Sequence, residues 1–139
     1  MVEEHIVDLE GLKKLAEKLA AELKGNEVIF LIGDLGAGKT TFTRFLVQAL
    51  KPTEEVRVTS PTFAVMNVYP TQKGEVYHLD LYRVKNFDIT DFEGEGILLI
   101  EWADYLKNVK PDVVIRFEYL DENRRKVRIE RPPKGEKRS

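Results

Sequence analysis

Residues Gly33–Thr40 read GDLGAGKT. They match the pattern G-x-x-x-x-G-K-[ST], whose meaning depends on what stands on either side. Before it comes VIFLI, Val28–Ile32, a short apolar run rich in β-branched and aromatic residues. That run predicts a buried strand, closed by Gly33. After it comes KTTFTRFLVQAL, Lys39–Leu50, with Phe42, Phe45, Leu46 and Ala49 on one helical face and Pro52 as a stop. Strand, glycine loop and helix in that order make a phosphate cradle. Glycines let successive backbone N–H groups converge on phosphate oxygens without Cβ clashes. The helix presents its positive dipole end to the anion. Lys39 has the reach and charge for the outer phosphates, and the Thr40 hydroxyl suits the magnesium that bridges them. A plain glycine-rich turn with a surface lysine would need neither the strand nor the helix.

Working outward, Asp8 is placed to cap a helix in which Leu9, Leu12, Leu15, Ala16, Leu19, Ala20 and Leu23 recur at helical spacing; Gly25 ends it. A short strand precedes it. Downstream, Thr59–Thr62 around Pro61 predicts a loop, Ala64–Tyr69 a strand, TQKG a turn and Glu75–Val84 a second strand of a hairpin. Lys85–Gly96 is irregular and acidic. ILLIEW, Ile97–Trp102, predicts a buried strand ending in a carboxylate. DVVIRFEYL and RKVRIER alternate apolar and polar residues about the turn DENR. The fold class is therefore α/β: a P-loop NTPase-like sandwich. Helices flank a central sheet that the hairpins make mixed, parallel and antiparallel.

The 139 residues suit one domain, taken as 1–131, followed by a basic and flexible tail over 132–139. This length leaves little room for a lid or a second substrate domain. A formal charge of −2 offers no overall footprint for nucleic acid, although Arg124–Ser139 holds eight Lys or Arg against two Glu. With no cysteine, disulfides, thiolate zinc sites and thiol nucleophiles are excluded; two histidines are too few for a His-rich metal site. The acidic start MVEEHIVD is not a signal peptide, and no apolar run approaches the roughly 20 residues that span a bilayer. The expected location is the cytoplasm, with no membrane partner.

A phosphate loop needs an acidic partner, and ligands of open α/β sheets lie beyond the carboxyl ends of the strands. Glu101 follows ILLI and Asp80 follows VYHL. One suits the magnesium and the other the attacking water, and spacing alone leaves that assignment open. TSPTF, Thr59–Phe63, is a candidate sensor loop whose hydroxyls could approach the γ-phosphate, or simply a turn. Trp102 and His78 are each read more simply as packing residues. NVKPD at Asn108–Asp112 is not the N-K-x-D motif that reads guanine, which favours ATP.

Together GDLGAGKTTFTR, SPTF, YHLDLYR and IEW, in order from about Ile29 to Trp102, closely resemble the TsaE (YjeE) family, the small ATPases of bacterial threonylcarbamoyladenosine tRNA modification. The resemblance implies a P-loop fold that binds ATP with Mg2+ and hydrolyses it slowly. It implies as partners TsaD, which transfers the threonylcarbamoyl group, and TsaB. TsaE would use ATP to reset their complex and would meet tRNA only indirectly. Carried over by motif, Gly33, Asp34, Leu35, Gly36, Ala37, Gly38, Lys39, Thr40 and Thr41 hold the phosphates. Thr40 and Glu101 hold magnesium, and Asp80 is the second acidic group. Ser60 and Thr62 belong to the switch-like loop, and Trp102 lies beside the site.

Two departures from the family pattern stand out. The segment between LYR and IEW is short, which bears on partner docking. Asn123-Arg124 replaces Gly-Arg in the last hairpin turn; Asn tolerates the left-handed conformation a turn glycine adopts, so Arg124 is expected to approach the nucleotide. The base pocket is expected to include the start of the chain near Val7 and Asp8. Readings of other classes are a small-molecule kinase and a non-catalytic, nucleotide-controlled binding module.

Overall fold

The computed structural model describes residues 1–34, 37–58, 66–82, 88–90, 92–103, 106 and 109–133. Their elements run β1 (Val2–Val7), α1 (Leu9–Glu22), β2 (Val28–Ile32), α2 (Lys39–Ala49), β3 (Met66–Thr71), β4 (Gly74–Asp80), β5 (Gly96–Glu101), β6 (Val113–Tyr119) and β7 (Arg125–Glu130). The seven strands form one sheet in the order β1-β7-β6-β2-β5-β4-β3. Its centre, β6-β2-β5-β4, is parallel. The antiparallel strands β7 and β1 extend one side, and the antiparallel strand β3 the other. The mixed sheet expected from the hairpins is thus observed.

Local chemistry explains the boundaries. The Asp8 carboxylate accepts from Gly11 N–H at 2.9 Å and caps α1. At the other end, the Lys73 ammonium donates to the carbonyls of Ala20 and Leu23 and satisfies the orphan acceptors. β4 was expected to reach Val84 but stops at Asp80, where the Asp80 carboxylate accepts from Tyr82 N–H at 3.0 Å and turns the chain. Pro70 is tolerated in β3 because that strand is at the sheet edge.

Both helices pack on one face of the sheet. Leu12, Leu15, Leu19, Phe42 and Leu46 form a core there with Ile29 and Leu31 of β2, Leu99 of β5, Ile115 and Phe117 of β6, and Val127 and Ile129 of β7. Phe42 meets Phe117 edge-on, ring centroids 5.5 Å apart. The opposite face holds a smaller cluster of Val28, Leu79, Leu98 and Ile100 under Ile89, Phe92, Leu106 and Val109. Every residue of β5 is buried, the pattern of a parallel strand covered on both faces. Residues 134–139 of the expected tail, 84–87 and 91 of the shortened segment, and Arg83 of LYR lie outside the described residues.

Candidate functional site at the carboxyl ends of the parallel strands

The parallel register sets Leu31, Glu101 and Asp80 in one row across β2, β5 and β4. From this row the chain leaves β2 at Gly33. A Cβ on Gly33 would come 2.8 Å from the Phe117 carbonyl oxygen, and backbone cannot yield as a flexible side chain does. The loop closes with Ala37 N–H donating to the Asp34 carbonyl at 3.0 Å. Gly38 then caps α2 at φ 109°, a left-handed conformation costly to other residues. No side chain caps this end, and the first turn carries no acidic residue, so the positive end of α2 is not neutralised from within.

Lys39 is buried, 9% exposed, and so is Glu101, 5% exposed. Buried charges need partners. The Lys39 ammonium donates to the Gly33 carbonyl, lies 3.6 Å from Glu101 Oε1, and sits 5.1 Å from the centre of the Trp102 ring. Trp102 has φ 60°, a rare value for a bulky residue. The reversal ends β5 and leaves the indole beside Lys39. Tyr82, just past β4, meets Trp102 edge-on at 4.9 Å. The other Glu101 oxygen, Oε2, is 2.6 Å from Nε2 of His78, which is fully buried.

The structure therefore gathers Lys39, Glu101, Asp80 and Trp102, with Gly33, Asp34, Ala37, Gly38, Thr40 and Thr41 along the loop and the first turn of α2. Leu35 and Gly36, and the candidate sensor residues Ser60 and Thr62, lie outside the described residues. His78, read from sequence as a packing residue, is in the core but bonded to a site carboxylate.

A cavity adjoins the helix start, lined by Val7 and Asp8, by Gly38 and Thr41, and by Asn123 and Arg125. Arg124, expected from the sequence to approach the nucleotide, is an exposed turn residue paired with Asp121 at 2.9 Å, and it does not line this cavity. The Asn123 N–H, and then Arg124, hold the Asp121 carboxyl below the usual carboxylate range. Arg125 faces the cavity: its guanidinium lies 4.5 Å from the Tyr119 ring centre and donates to the carbonyls of Asp121 and Arg124. Its buried Nε has no partner among the described residues. Strand alternation was the available signal, since Arg125, Val127 and Ile129 share the core face.

A family model described as "Threonylcarbamoyl adenosine biosynthesis protein TsaE" matches residues 6–129. The chain belongs to the TsaE family. The matched span contains every residue of the site, from Val7 to Arg125. A protein of Aquifex aeolicus named tRNA threonylcarbamoyladenosine biosynthesis protein TsaE is 52% identical over 122 residues, covering 88% of this chain and 90% of that one. A Bacillus subtilis protein of the same name is 38% identical over 111 residues, covering 76% and 68%. The crystal structure of Bacillus subtilis YdiB superposes with a TM-score of 0.71 at 31% identity, covering 93% of this chain and 86% of that one. The TsaE fold is thus reached from the family model and from the backbone.

The site's donors also bear on magnesium. Among the described residues no group of three or more His, Asp or Glu gathers as a metal cage. Magnesium is usually held by one or two carboxylates together with substrate phosphates and water, so two strand-end carboxylates beside the glycine loop fit it. No helix is long and apolar enough to cross a membrane among the described residues.

Proposed function

We propose that the chain is a magnesium-dependent ATPase of tRNA threonylcarbamoyladenosine biosynthesis, acting by binding and resetting a TsaD–TsaB transferase complex. The observation that carries the ATPase reading is the buried Lys39–Glu101 pair at the open start of α2. A lysine and a carboxylate buried 3.6 Å apart at the mouth of a glycine loop are a poor device for stability. They are apt for a ligand that is anionic and carries a cation.

In this reading the loop N–H groups and Lys39 bind the phosphates. Thr40 and Glu101 would hold the magnesium, which would supply positive charge against the phosphates. Asp80, opposite Glu101 in the register, orients the attacking water. Trp102 shields the Lys39 side from bulk water. The cavity between Val7, Thr41 and Arg125 accepts the base. The working place is the cytoplasm, with tRNA met only through the complex.

The test is phosphate release from ATP by the purified chain with and without magnesium, and without any added acceptor. Release that needs magnesium and no acceptor supports the reading. ATP consumption only in the presence of a phosphate acceptor points to a kinase. Binding without turnover under every condition points to a nucleotide-controlled binding module.

A further inference from the structure

We infer that His78 is a positioning residue for Glu101: its Nε2–H holds one carboxylate oxygen, so that the other is presented to Lys39 and to the cation of the bound nucleotide. The inference rests on the nucleotide reading above and gives His78, which lies within YHLDLYR, a role that the residues carried over by motif do not include.

The register supplies the reach. His78 of β4 stands opposite Leu99 of β5, and Glu101 is two residues further along on the same face. A diagonal neighbour in a sheet is within range of a long side chain. The imidazole spans it, with Nε2 2.6 Å from Oε2. The polarity of the bond follows from the two ring nitrogens. Nε2 faces a carboxylate, whereas buried Nδ1 has no hydrogen-bond partner among the described residues. A proton on Nδ1 would have no acceptor among the described residues, and orphaned buried N–H groups are rare. The proton therefore sits on Nε2, and the ring acts as a fixed donor.

A histidine kept only for packing would be replaced by an apolar ring without loss. This one is fully buried, leaves one nitrogen without a partner among the described residues, and spends its other nitrogen on a carboxylate of the site. Tyr69 borders it, ring centroids 6.4 Å apart. The pairing also splits the work of Glu101. Oε2 is occupied, and Oε1 is the oxygen turned to Lys39.

The experiment compares His78→Gln with His78→Asn. The Gln amide nitrogen reaches about where Nε2 stands; the Asn amide nitrogen reaches only the Nδ1 position. Both put a polar amide in the same buried place, so a purely structural role treats them alike. The magnesium concentration for half-maximal ATP hydrolysis should stay near wild type in His78→Gln. It should rise roughly 10-fold or more in His78→Asn, the scale of losing a partner that orients a metal ligand. Equal magnesium demand in a folded His78→Asn and in wild type overturns the inference, as does an equal rise in both variants.

A second readout needs no turnover. Side-chain nitrogen NMR of the wild-type chain should show His78 protonated at Nε2, with resonances that move in Glu101→Ala. An Nε2 without a proton, or a ring indifferent to Glu101→Ala, overturns the pairing. Absence of both turnover and magnesium–nucleotide binding in wild type contradicts the ATPase reading itself, and with it the positioning role, even where the NMR shows the pair.

Discussion

Asp80 and Glu101 stand directly opposite one another in the parallel register of β4 and β5, side chains on the same face. Glu101 is buried between His78 and Lys39; Asp80 is half-buried and bonded to the Tyr82 N–H. The buried, doubly held carboxylate suits a fixed cation, and the more accessible one suits water. Glu101→Gln should therefore raise the magnesium needed for turnover. Asp80→Asn should lower turnover with magnesium demand and ATP binding unchanged. A magnesium titration of phosphate release in the two variants reads the difference, and the reverse pattern exchanges the roles.

Lys39→Ala removes the cation that, in the proposed reading, faces the outer phosphates. A charge-assisted contact of this kind contributes roughly 1.5–3 kcal/mol, so ATP should bind about 10- to 150-fold more weakly. Hydrolysis should fall below detection while the circular dichroism spectrum is retained. Titration calorimetry with a non-hydrolysable ATP analogue measures the first effect directly.

Gly38→Ala places a Cβ at φ 109°, where an L-residue is strained by roughly 1–2 kcal/mol. Contacts do not cause the problem, since the nearest atoms to that Cβ are 3.8–3.9 Å away. The melting temperature should drop, and nucleotide binding should weaken beyond that drop because the helix start is rebuilt. A variant with unchanged melting and binding would mean that the loop relaxes to another conformation.

Much of this site was legible in the sequence because its parts are local. The strand–glycine–helix order around Gly33–Thr40 depends on neighbours within one turn, and Asp8 marks the α1 start by the same short-range logic. Alternation in β6 and β7 gave that hairpin. What was not legible is what register alone decides. Nothing near His78 in the chain says that Glu101, 23 residues on, lies within 2.6 Å. The sheet order, with β2 between β5 and β6, is likewise a non-local choice. The end of β4 depended on one Asp80 side-chain bond rather than on propensity.

Glu3 ties β1 to the end of β7. Its carboxylate bonds His5 and the Arg131 guanidinium, which also reaches Glu22 of α1. The His5 hydrogen bond first, and then Arg131, lower the Glu3 pKa. A lowered carboxyl pKa contributes stability that is present above the unfolded value and is lost as pH falls through the folded one. Glu3→Gln should therefore destabilise the fold near neutral pH and flatten the acid side of the stability curve. Urea melts from pH 3 to 7 check this; parallel wild-type and variant curves would remove the Glu3 clamp from the account.

Steady-state phosphate release from magnesium and ATP, measured for the chain alone and with TsaD and TsaB together, bears most directly on the proposed role. In the proposed reading a docked partner helps to close over the γ-phosphate and exclude water. Release should be slow for the chain alone, clearly faster with both partners, and absent in either condition for Lys39→Ala. Wild-type release that ignores the partners would contradict the complex-resetting role, and Lys39→Ala release equal to wild type would contradict the phosphate site itself.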